Sequence, residues 1–585
     1  MATPLRRDGT SLQRAGWTLV WLSVVRTGFS VTHYWTMSSF ATVLALVMAI
    51  GGLAALVAVW TVRRPSGQVM QMAAFAGMAV SILFPISFAI HQTAFYPTDS
   101  AALDHFAAYL LAHGRNPYAV SLAPAGRFLH PAAAFWTYTT SGSHVVQMSY
   151  PAGSVLAYMP AYLLGFHHLV VSWTDLAAWV LSAALLWLLV PVNLRFVVAL
   201  LAMTPVFIGS LGLGGTDSLW LPWMILAVWR WDRFASPGVR WARWAGPVAL
   251  GIACSIKQTP WFFVPVFAIG LGLEASRQGR VWWRVSAAYT AIVLGVFALV
   301  NLPFIAWQPY DWWKAVTLPF LGGLVADGQG FVSLATRGVV SGVDLTALSA
   351  AALLAYLAIL VAFALWYSSL KRAIVVLLPF AFVLAPRSLS VYLVNFVPVA
   401  VVAGISVSRP GGQAVPEDAV PVPGPARPVA ATDPEFAPAV TPELPPKLWR
   451  MGLAALVLLF AAIIASSTLA FSVQPVRVTV DRVQPVKNLL YVRSITVTVH
   501  NDTGSAVEPH LTVDAGSGPA GFWRVANHRR PVVIPPHGSV TLRLLPQIGT
   551  LLPPVGNALL VEAYTPRPDA LSLTSVVWNG SPPKS

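Results

Sequence analysis

The chain has 585 residues, of which 56% are hydrophobic and 10% are charged, and its mean hydropathy is +0.68. Soluble domains carry about 25% charged residues, so this composition excludes an ordinary soluble protein. The formal net charge of +15 is concentrated in short connections between apolar segments, which argues against a nucleic-acid-binding face.

Several apolar runs reach the roughly 20 residues that are needed to cross a bilayer core of about 30 Å. The uninterrupted runs cover 37–62, 69–91, 285–303, 345–366 and 449–471. Runs interrupted by Gly or Pro cover 175–190, 196–213, 218–231, 245–273, 373–384 and 389–407. We therefore predict an all-α polytopic membrane protein with about 10–13 membrane segments.

The first apolar stretch, 17–35, contains Arg26 at its middle and follows Arg6, Arg7 and Arg14. It is either a spanning helix with Arg26 facing the protein interior or an amphipathic helix in the membrane interface, and we favour the spanning helix. No small-residue cleavage pattern accompanies it, so we expect no removed signal peptide.

Clusters of Lys and Arg predict the orientation in the membrane. By the positive-inside rule, short basic connections mark the cytoplasmic side. These basic positions are 63, 64, 230, 233, 240, 243, 277, 280, 284, 371, 372, 447 and 450. The loops at about 94–151 and 304–344 lack this bias, so we expect them outside the cytoplasm.

The loop 94–151 is the most informative segment of the chain. It contains Asp99 and Asp104, then the turn Gly114-Arg115-Asn116-Pro117-Tyr118, and it closes on Tyr150-Pro151. A protein that only had to span the membrane would join its helices with a few residues. A long polar loop with two carboxylates therefore indicates chemistry at the membrane surface.

Two of the interrupted segments do not fit the assumption that each apolar run crosses the membrane once. If every run between 151 and 230 crossed, the next basic connection would lie outside, so we expect the stretch after Pro151 to be re-entrant or interfacial. The run 245–273 has basic clusters on both sides and should go out and return, with its turn near Lys257-Gln258-Thr259-Pro260. A charge in such a segment is expensive and marks Lys257 as functional; a Lys that reaches the interface is the alternative.

The tail differs in composition from the first 407 residues, which we assign to the membrane domain. Residues 408–447 are rich in Pro, Ala and Val and lack periodicity, which predicts a disordered or extended cytoplasmic linker. One further span over 448–471 then carries the chain outward.

Residues 472–585 alternate with the period of strands, most clearly at 476–480 and 492–499. Shorter runs lie at 510–513, 540–545, 559–564 and 572–578. We predict a small antiparallel β-sandwich outside the cytoplasm. The single cysteine, Cys254, lies in an apolar segment, so no disulfide is expected to support it.

The ordered motifs of the first half resemble the polytopic glycosyltransferases of the GT-C superfamily. Asp99 followed by the 114–118 turn is similar to their signature region. Tyr150-Pro151, Gly215-Thr216-Asp217 and Lys257-Gln258-Thr259-Pro260 then follow in the order seen in glycosyltransferase family 87, bacterial polyprenyl-phosphate-mannose-dependent mannosyltransferases. The resemblance covers roughly 76–319. Ala152 stands where members usually have a second Pro, and the sandwich lies outside the shared core.

The resemblance implies transfer of a hexose, with mannose as the first expectation, from a polyprenyl-phosphate donor to a glycan or glycolipid acceptor. A carboxylate can accept the proton of the attacking hydroxyl. Asp99 is the first candidate for this base. Asp104 is the second, because it lies about one helical turn further on and shares a face with Asp99 if the segment is helical. The alternative for either residue is a solvated or helix-capping Asp.

The remaining candidate residues concern binding. Lys257 and Arg115 are candidates for the donor phosphate, since cations in a low-dielectric site stabilise developing negative charge. Candidates for sugar and acceptor binding are Asn116, Tyr118, Tyr150, Asp217 and Gln258. Arg115 could instead be a surface residue, Asp217 a helix cap and the tyrosines part of an interfacial aromatic belt.

No dedicated metal-ligand cluster is evident, so we expect no cofactor besides the lipid-linked sugar. Mg²⁺ held jointly by Asp99, Asp104 and the donor phosphate is the alternative. The expected partners are the polyprenyl-phosphate sugar, the glycan or glycolipid acceptor and membrane lipid, but no nucleic acid. We expect a multi-pass protein of the cell membrane. Competing functions are a secondary transporter or lipid flippase, for which we find no internal repeat, and a non-catalytic envelope assembly protein.

Overall fold

The structure, a computed structural model, describes residues 9–34, 39–61, 67–92, 96, 98–129, 136–204, 216–235, 240–407, 444–486, 491–514, 521–528, 531–547 and 558–577. Residues 408–443 of the predicted linker 408–447 lie outside the described residues. The described part consists of a helical domain followed by a sheet domain, in the predicted order.

The α-helices of the first 235 residues, in chain order, are α1 Gly9–Tyr34, α2 Ser39–Thr61, α3 Gln68–Gln92, α4 Asp99–Ala112, α5 Ala125–Phe128, α6 Ala152–Leu163, α7 Val170–Leu189, α8 Arg195–Ala202 and α9 Leu221–Val228. They continue with α10 Arg240–Ile256, α11 Phe263–Arg277, α12 Trp282–Trp307, α13 Pro309–Leu321, α14 Ser333–Thr336, α15 Leu345–Leu365, α16 Tyr367–Leu370, α17 Ile374–Val383, α18 Ser390–Val394, α19 Phe396–Ser406 and α20 Pro446–Ser472. Short 3₁₀ turns cover Val192–Leu194, Thr216–Ser218, Trp231–Ala235 and Thr259–Phe262.

Within the described ranges, seven helices are long and apolar enough to cross a membrane. They lie in α2, α3, α7, α11 with its preceding 3₁₀ turn, α12, α15 and α20. Four shorter apolar helices cover Val192–Ala202, Trp244–Ile256, Ile374–Val383 and Val391–Ser406. A run of apolar residues therefore does not always form one continuous helix, because Pro and Gly divide several of them.

Helix α1 is 26 residues long but is not one of the seven apolar candidates. It packs against α2, and Trp17 and Val24 are on its buried side. Arg26 is exposed, so the expectation that it faces the protein interior is wrong. The reason is helical periodicity: the buried positions of α1 define one stripe, and Arg26 lies outside that stripe.

Helix α6 and the α10–α11 pair account for the two irregular segments. With 12 residues, α6 is about 18 Å long, too short to cross a core of about 30 Å. The predicted break near Lys257 is confirmed, since α10 ends at Ile256 and α11 begins only at Phe263. Both helices pack on α12, and the Ser286 hydroxyl of α12 donates to the Ala268 carbonyl of α11 at 2.7 Å.

The helical domain has two ends, which we name after their buried lysines. At the Lys257 end α10 stops and α7 begins, and the Val171 amide of α7 donates to the Tyr96 hydroxyl at 3.3 Å. At the Lys371 end α11 stops, and its Glu274 lies 3.8 Å from Lys371, which follows α16. Helices α15 and α20 pack against each other between these two ends.

The strands are β1 Asp327–Gly328, β2 Gly342–Asp344, β3 Arg387–Ser388, β4 Val476–Pro485, β5 Val492–Asn501, β6 His510–Asp514, β7 Arg524–Val525, β8 Ser539–Leu545, β9 Ala558–Pro566 and β10 Asp569–Val577. Two four-stranded antiparallel sheets have the orders β2-β10-β9-β6 and β4-β5-β8-β7. Both sheets contribute to one apolar core that includes Ile495, Val513 and Val561.

The first sheet is buried on both faces. Alternate residues of β9 face two different cores: Val561 packs in the core between the sheets, whereas Leu560 and Tyr564 pack with Val325 and Val343 of the helical domain. Strand β2, which precedes α15, supplies the edge of this sheet. The sheet domain is therefore docked on the segment 304–344 rather than joined only through α20.

Candidate functional site

Lys257 lies at the break between α10 and α11, where Pro260 prevents a continuous helix. It is 5% exposed, and its Nζ lies 2.5 Å from Asp217 Oδ1. Asp217 belongs to the short 3₁₀ turn before α9 and also accepts a hydrogen bond from Trp220 Nε1 at 3.4 Å. The structure thus joins two predicted site residues that are 40 positions apart in the chain.

Asp217 does not cap the following helix. The N-cap of α9 is Trp220, and no side chain makes a cap hydrogen bond there. The carboxylate instead carries the charge that balances Lys257, which a buried ammonium group requires. Of the two roles suggested by the sequence, capping is therefore wrong, whereas contact with a sugar hydroxyl stays a prediction.

Two tyrosine rings flank the ammonium group of Lys257. Its Nζ lies 5.0 Å from the ring centroid of Tyr150 and 5.2 Å from that of Tyr392, both within the range of a cation–π contact. Tyr150 was a predicted site residue. Tyr392 was not, because it comes from α18, far along the chain, in a segment whose only sequence signal was hydrophobicity.

The Asn-Pro-Tyr turn positions the Tyr150 segment. The Tyr118 hydroxyl donates to the Tyr150 carbonyl at 2.7 Å, and the Asn116 side-chain oxygen accepts from the Tyr118 amide at 3.0 Å. The Tyr118 ring meets Phe304 edge-on, with centroids 5.8 Å apart. Asn116 Nδ2 is buried without a hydrogen-bond partner among the described residues, so it is the polar atom of this turn that is available to a ligand.

Gln258 links two segments of the site. Its Nε2 donates to the Ser149 carbonyl at 2.7 Å and to the Val316 carbonyl at 2.9 Å. Both amide hydrogens are therefore used to hold the end of the 94–151 loop against α13. This geometry gives Gln258 a positioning role for Tyr150, and leaves its carbonyl oxygen for any contact with substrate.

Asp99 is the first residue of α4, and Thr98 rather than Asp99 caps the helix. Asp99 Oδ1 accepts from the Ser100 amide at 2.7 Å, and Oδ2 accepts from the Thr137 amide at 2.6 Å. Burial raises the pKa of Asp99, although the bonds from Thr137 and Ser100 and the charge of Arg387 act in the opposite direction. The carboxylate is thus fixed in place and joins α4 to the strand-like segment around Thr137.

Asp104, also on α4, has different surroundings. A spacing of five residues separates two side chains by about 140° around a helix, so the idea that Asp99 and Asp104 share one face is wrong. Asp104 is 1% exposed, and its Oδ2 has no hydrogen-bond partner among the described residues. Burial raises its pKa well above the ordinary range, Lys257 lowers it and Asp99 raises it. Asp104 therefore interacts electrostatically with both Lys257 and Asp99.

Asp175, a fully buried carboxylate of α7, was not predicted from the sequence. Its Oδ1 accepts from the Tyr158 hydroxyl at 3.4 Å, and its Oδ2 has no hydrogen-bond partner in the described part of the chain. The signal that could have found it is a lone acid within an otherwise apolar 20-residue helix, a position that is rarely occupied without a function.

The structure places Arg387, rather than Arg115, beside a predicted site carboxylate. Arg115 is exposed and is not part of the buried cluster. Arg387, which the sequence did not single out, is partly buried beside Asp99, pairs with Asp327 at 3.8 Å and donates to the Val325 carbonyl at 3.1 Å. Only the approach of β3 to β1 brings this guanidinium to the site.

The Lys257 end therefore combines a buried cation, four buried carboxylates and tyrosine rings at helix ends. This set can hold an anionic group at Lys257 and can accept a proton at a carboxylate. Within the described ranges no group of three or more His, Cys, Asp or Glu residues is arranged to hold a metal ion. No protein-family model matches the chain, and comparisons with curated proteins and with solved structures find no match.

Proposed function

We propose that the protein is an integral-membrane glycosyltransferase that moves a hexose, with mannose as the first choice, from a polyprenyl-phosphate donor to a glycan or glycolipid acceptor. The observation that carries the proposal is the buried Lys257–Asp217 pair together with the buried carboxylates Asp99 and Asp104, at one end of a helical domain with seven candidate spans. The reaction needs a base for the acceptor and a cation for the leaving phosphate, and this set of residues contains both.

Lys257 is the group that binds the donor phosphate in this proposal. The phosphate gains negative charge as the glycosidic bond breaks, and a cation fixed in a low-dielectric site stabilises that charge strongly. Asp217 and the rings of Tyr150 and Tyr392 hold the ammonium group in place. A fixed cation needs no rearrangement at the moment of reaction, which is the property that this role requires.

Asp99 is the base that we favour. Its two amide hydrogen bonds fix the carboxylate, and an ionised carboxylate with about four acceptor positions retains sites for an acceptor hydroxyl. The upward shift of its pKa brings its basicity nearer to neutral pH, where a general base is most effective. Asp104 is the second choice, because burial without hydrogen bonds favours its neutral acid form.

The donor, acceptor and surroundings follow from this assignment. The lipid tail of the donor lies in the bilayer beside the helices, and the acceptor approaches from the side that holds the sheet domain. We place this side outside the cytoplasm, because the basic connections belong on the cytoplasmic side. The reaction requires the lipid-linked sugar as substrate and no resident cofactor.

The test is sugar transfer by the purified full-length protein in nanodiscs. Radiolabelled polyprenyl-phosphate mannose is the donor, a mixed membrane glycolipid extract provides acceptors, and the wild type is compared with Asp99→Asn and Asp104→Asn. We expect labelled product from the wild type and a loss of about a hundredfold or more in Asp99→Asn. An unaffected Asp99→Asn with an inactive Asp104→Asn would move the base to Asp104. No product from folded wild type with several donor sugars would overturn the proposal.

Asp175 supports a second candidate function, proton-coupled transport. A carboxylate inside a candidate span is typical of proton pathways, and Asp175 lies close enough to Asp104 for the two charges to interact. If the protein is a transporter, the wild type should show proton-driven uptake of solute into proteoliposomes and Asp175→Asn should abolish it. If the protein is a transferase, the wild type should show no such uptake. The long loop that contains Asp99 favours the transferase.

A further inference from the structure

An open groove of about 640 Å³ lies between α3, the end of α7 and the start of α8. This volume is within the roughly 300–1,000 Å³ of small-molecule sites. The groove is remote from the proposed reaction, because 13 positions of α7, or about 20 Å along the helix, separate Asp175 from Leu188. Any ligand in the groove is therefore distinct from the donor sugar at Lys257.

The mouth of the groove is polar and positively charged. Arg195, at the start of α8, donates from Nη1 to Gln71 Oε1 at 2.6 Å, and its guanidinium lies 5.5 Å from the Trp187 ring centroid. Among the described residues, Arg195 Nε is buried without a hydrogen-bond partner, and no carboxylate forms an ion pair with this side chain. A guanidinium with an unused donor and an uncompensated charge is complementary to an anion.

The wall of the groove below this mouth is apolar and exposed. Met72 is 73% exposed and Leu188 is 72% exposed, and both line the groove. They lie on α3 and α7, which are both candidate spans. The polar groups and these two side chains are at the ends of two candidate spans. Phe75 and Ala184, about one turn further into the same helices, extend the apolar wall.

We propose that this groove binds an anionic phospholipid, with its phosphate on Arg195 and an acyl chain along Met72 and Leu188. The order of polar mouth and apolar wall matches the order of headgroup and chain in a lipid. The unbalanced charge of Arg195 selects an anionic headgroup over a zwitterionic one. Gln71 orients the guanidinium, and the Trp187 ring supports its other face.

Native mass spectrometry of the detergent-purified protein tests the proposal. The wild type is titrated with phosphatidylglycerol and, separately, with phosphatidylcholine. We expect tighter binding of phosphatidylglycerol, and a loss of about tenfold of that preference in Arg195→Gln, as expected for a charge-assisted hydrogen bond. Equal binding of the two lipids by the wild type, or an unchanged preference in Arg195→Gln, would overturn the proposal.

Two further variants keep the result interpretable. Arg284→Gln is the matched control, because Arg284 is also an arginine over a tryptophan ring, 5.5 Å from Trp283, but does not line the groove; its preference should be unchanged. Leu188→Trp fills the groove and leaves Arg195 in place, so it should also weaken phosphatidylglycerol binding. If polyprenyl phosphate displaces phosphatidylglycerol in competition, the groove belongs to that lipid and the proposal is contradicted. Inorganic phosphate alone should not displace phosphatidylglycerol.

Discussion

The two buried lysines, one at each end of the helical domain, are in very different surroundings. Lys371 is 3% exposed and lies 3.8 Å from carboxylate oxygens of both Asp232 and Glu274. Lys257 pairs at 2.5 Å with Asp217, its only ion-pair partner within the described residues. Its ammonium group otherwise contacts the two tyrosine rings.

These surroundings differ in how many carboxylates approach the ammonium group. At the Lys371 end two carboxylates approach the ammonium group, and the Tyr367 hydroxyl donates to one of them, Glu274, at 3.1 Å. At the Lys257 end, Asp104 has a buried oxygen with no described partner. Removal of either lysine leaves a buried carboxylate without its cation, which is expensive, so we expect both lysines to affect stability and only Lys257 to affect chemistry.

Exchanging each lysine for methionine should have the strongest effects. Lys257→Met should lower sugar transfer by about a hundredfold or more, as the loss of one preorganised charge-stabilising group does. Lys371→Met should leave transfer by folded protein within about threefold, yet destabilise it by about 3–5 kcal/mol, because two carboxylates lose their cation. Transfer rates and thermal unfolding in nanodiscs measure both. Equal loss of transfer in the two variants would contradict the distinction between the two ends.

A smaller effect is expected at Tyr392, the ring that only the tertiary structure brings to Lys257. Tyr392→Ala should lower transfer by about tenfold, since a desolvated cation–π contact is worth about 1–2 kcal/mol. Tyr392→Phe retains the ring and should keep activity near the wild-type level. If the Phe variant is as impaired as the Ala variant, the hydroxyl rather than the ring matters.

The sheet domain contacts the Lys257 end through Phe522, which meets Tyr138 edge-on with centroids 5.2 Å apart. Tyr138 follows Thr137, whose amide binds Asp99. Phe522→Ala should lower transfer severalfold, because such ring pairs are worth about 0.5–1.5 kcal/mol beyond their buried area. A matched control is Tyr491→Ala, an exposed aromatic in the same domain, which should have no effect on transfer rates.

Glu562, on the face of β9 towards the helical domain, predicts a pH effect on stability. Burial raises its pKa to about 8, as do the charges of Asp514 and Asp327, although the Tyr564 hydroxyl acts in the opposite direction. The folded state therefore holds a proton that the unfolded chain loses near pH 4.5, so the free energy of unfolding should fall as the pH rises from about 4.5 to about 8. Glu562→Gln should flatten this slope in thermal unfolding scans. An identical slope in the variant would contradict the assignment.

The weakest effect is expected at Arg115, although the sequence made it a candidate for the donor phosphate. Because Arg115 is exposed and outside the buried cluster, Arg115→Gln should change transfer by less than about twofold, as surface substitutions usually do. Arg387→Gln, beside Asp99, should have the larger effect. The opposite order in a transfer assay would restore the role that the sequence suggested for Arg115.

Local patterns were enough to predict several parts of this molecule. Continuous hydrophobicity located α2, α3, α12, α15 and α20, and alternation located the strands of the sheet domain. The break at Lys257 followed from Pro260 and from charge on both sides of the segment. These features depend on neighbouring residues, because helix and strand periodicity, proline sterics and hydropathy act over a few positions.

Partners distant in sequence required the fold. The pairing of Lys257 with Asp217, the approach of Arg387 to Asp99 and the addition of β2 to the sheet domain all join segments that are 40 or more residues apart. The exposed position of Arg26 likewise depends on which stripe of α1 meets α2. Composition and local pattern thus define which residue types and secondary structures are present. Tertiary packing alone selects which charges meet, because long-range contacts depend on how the helices and sheets are arranged in space.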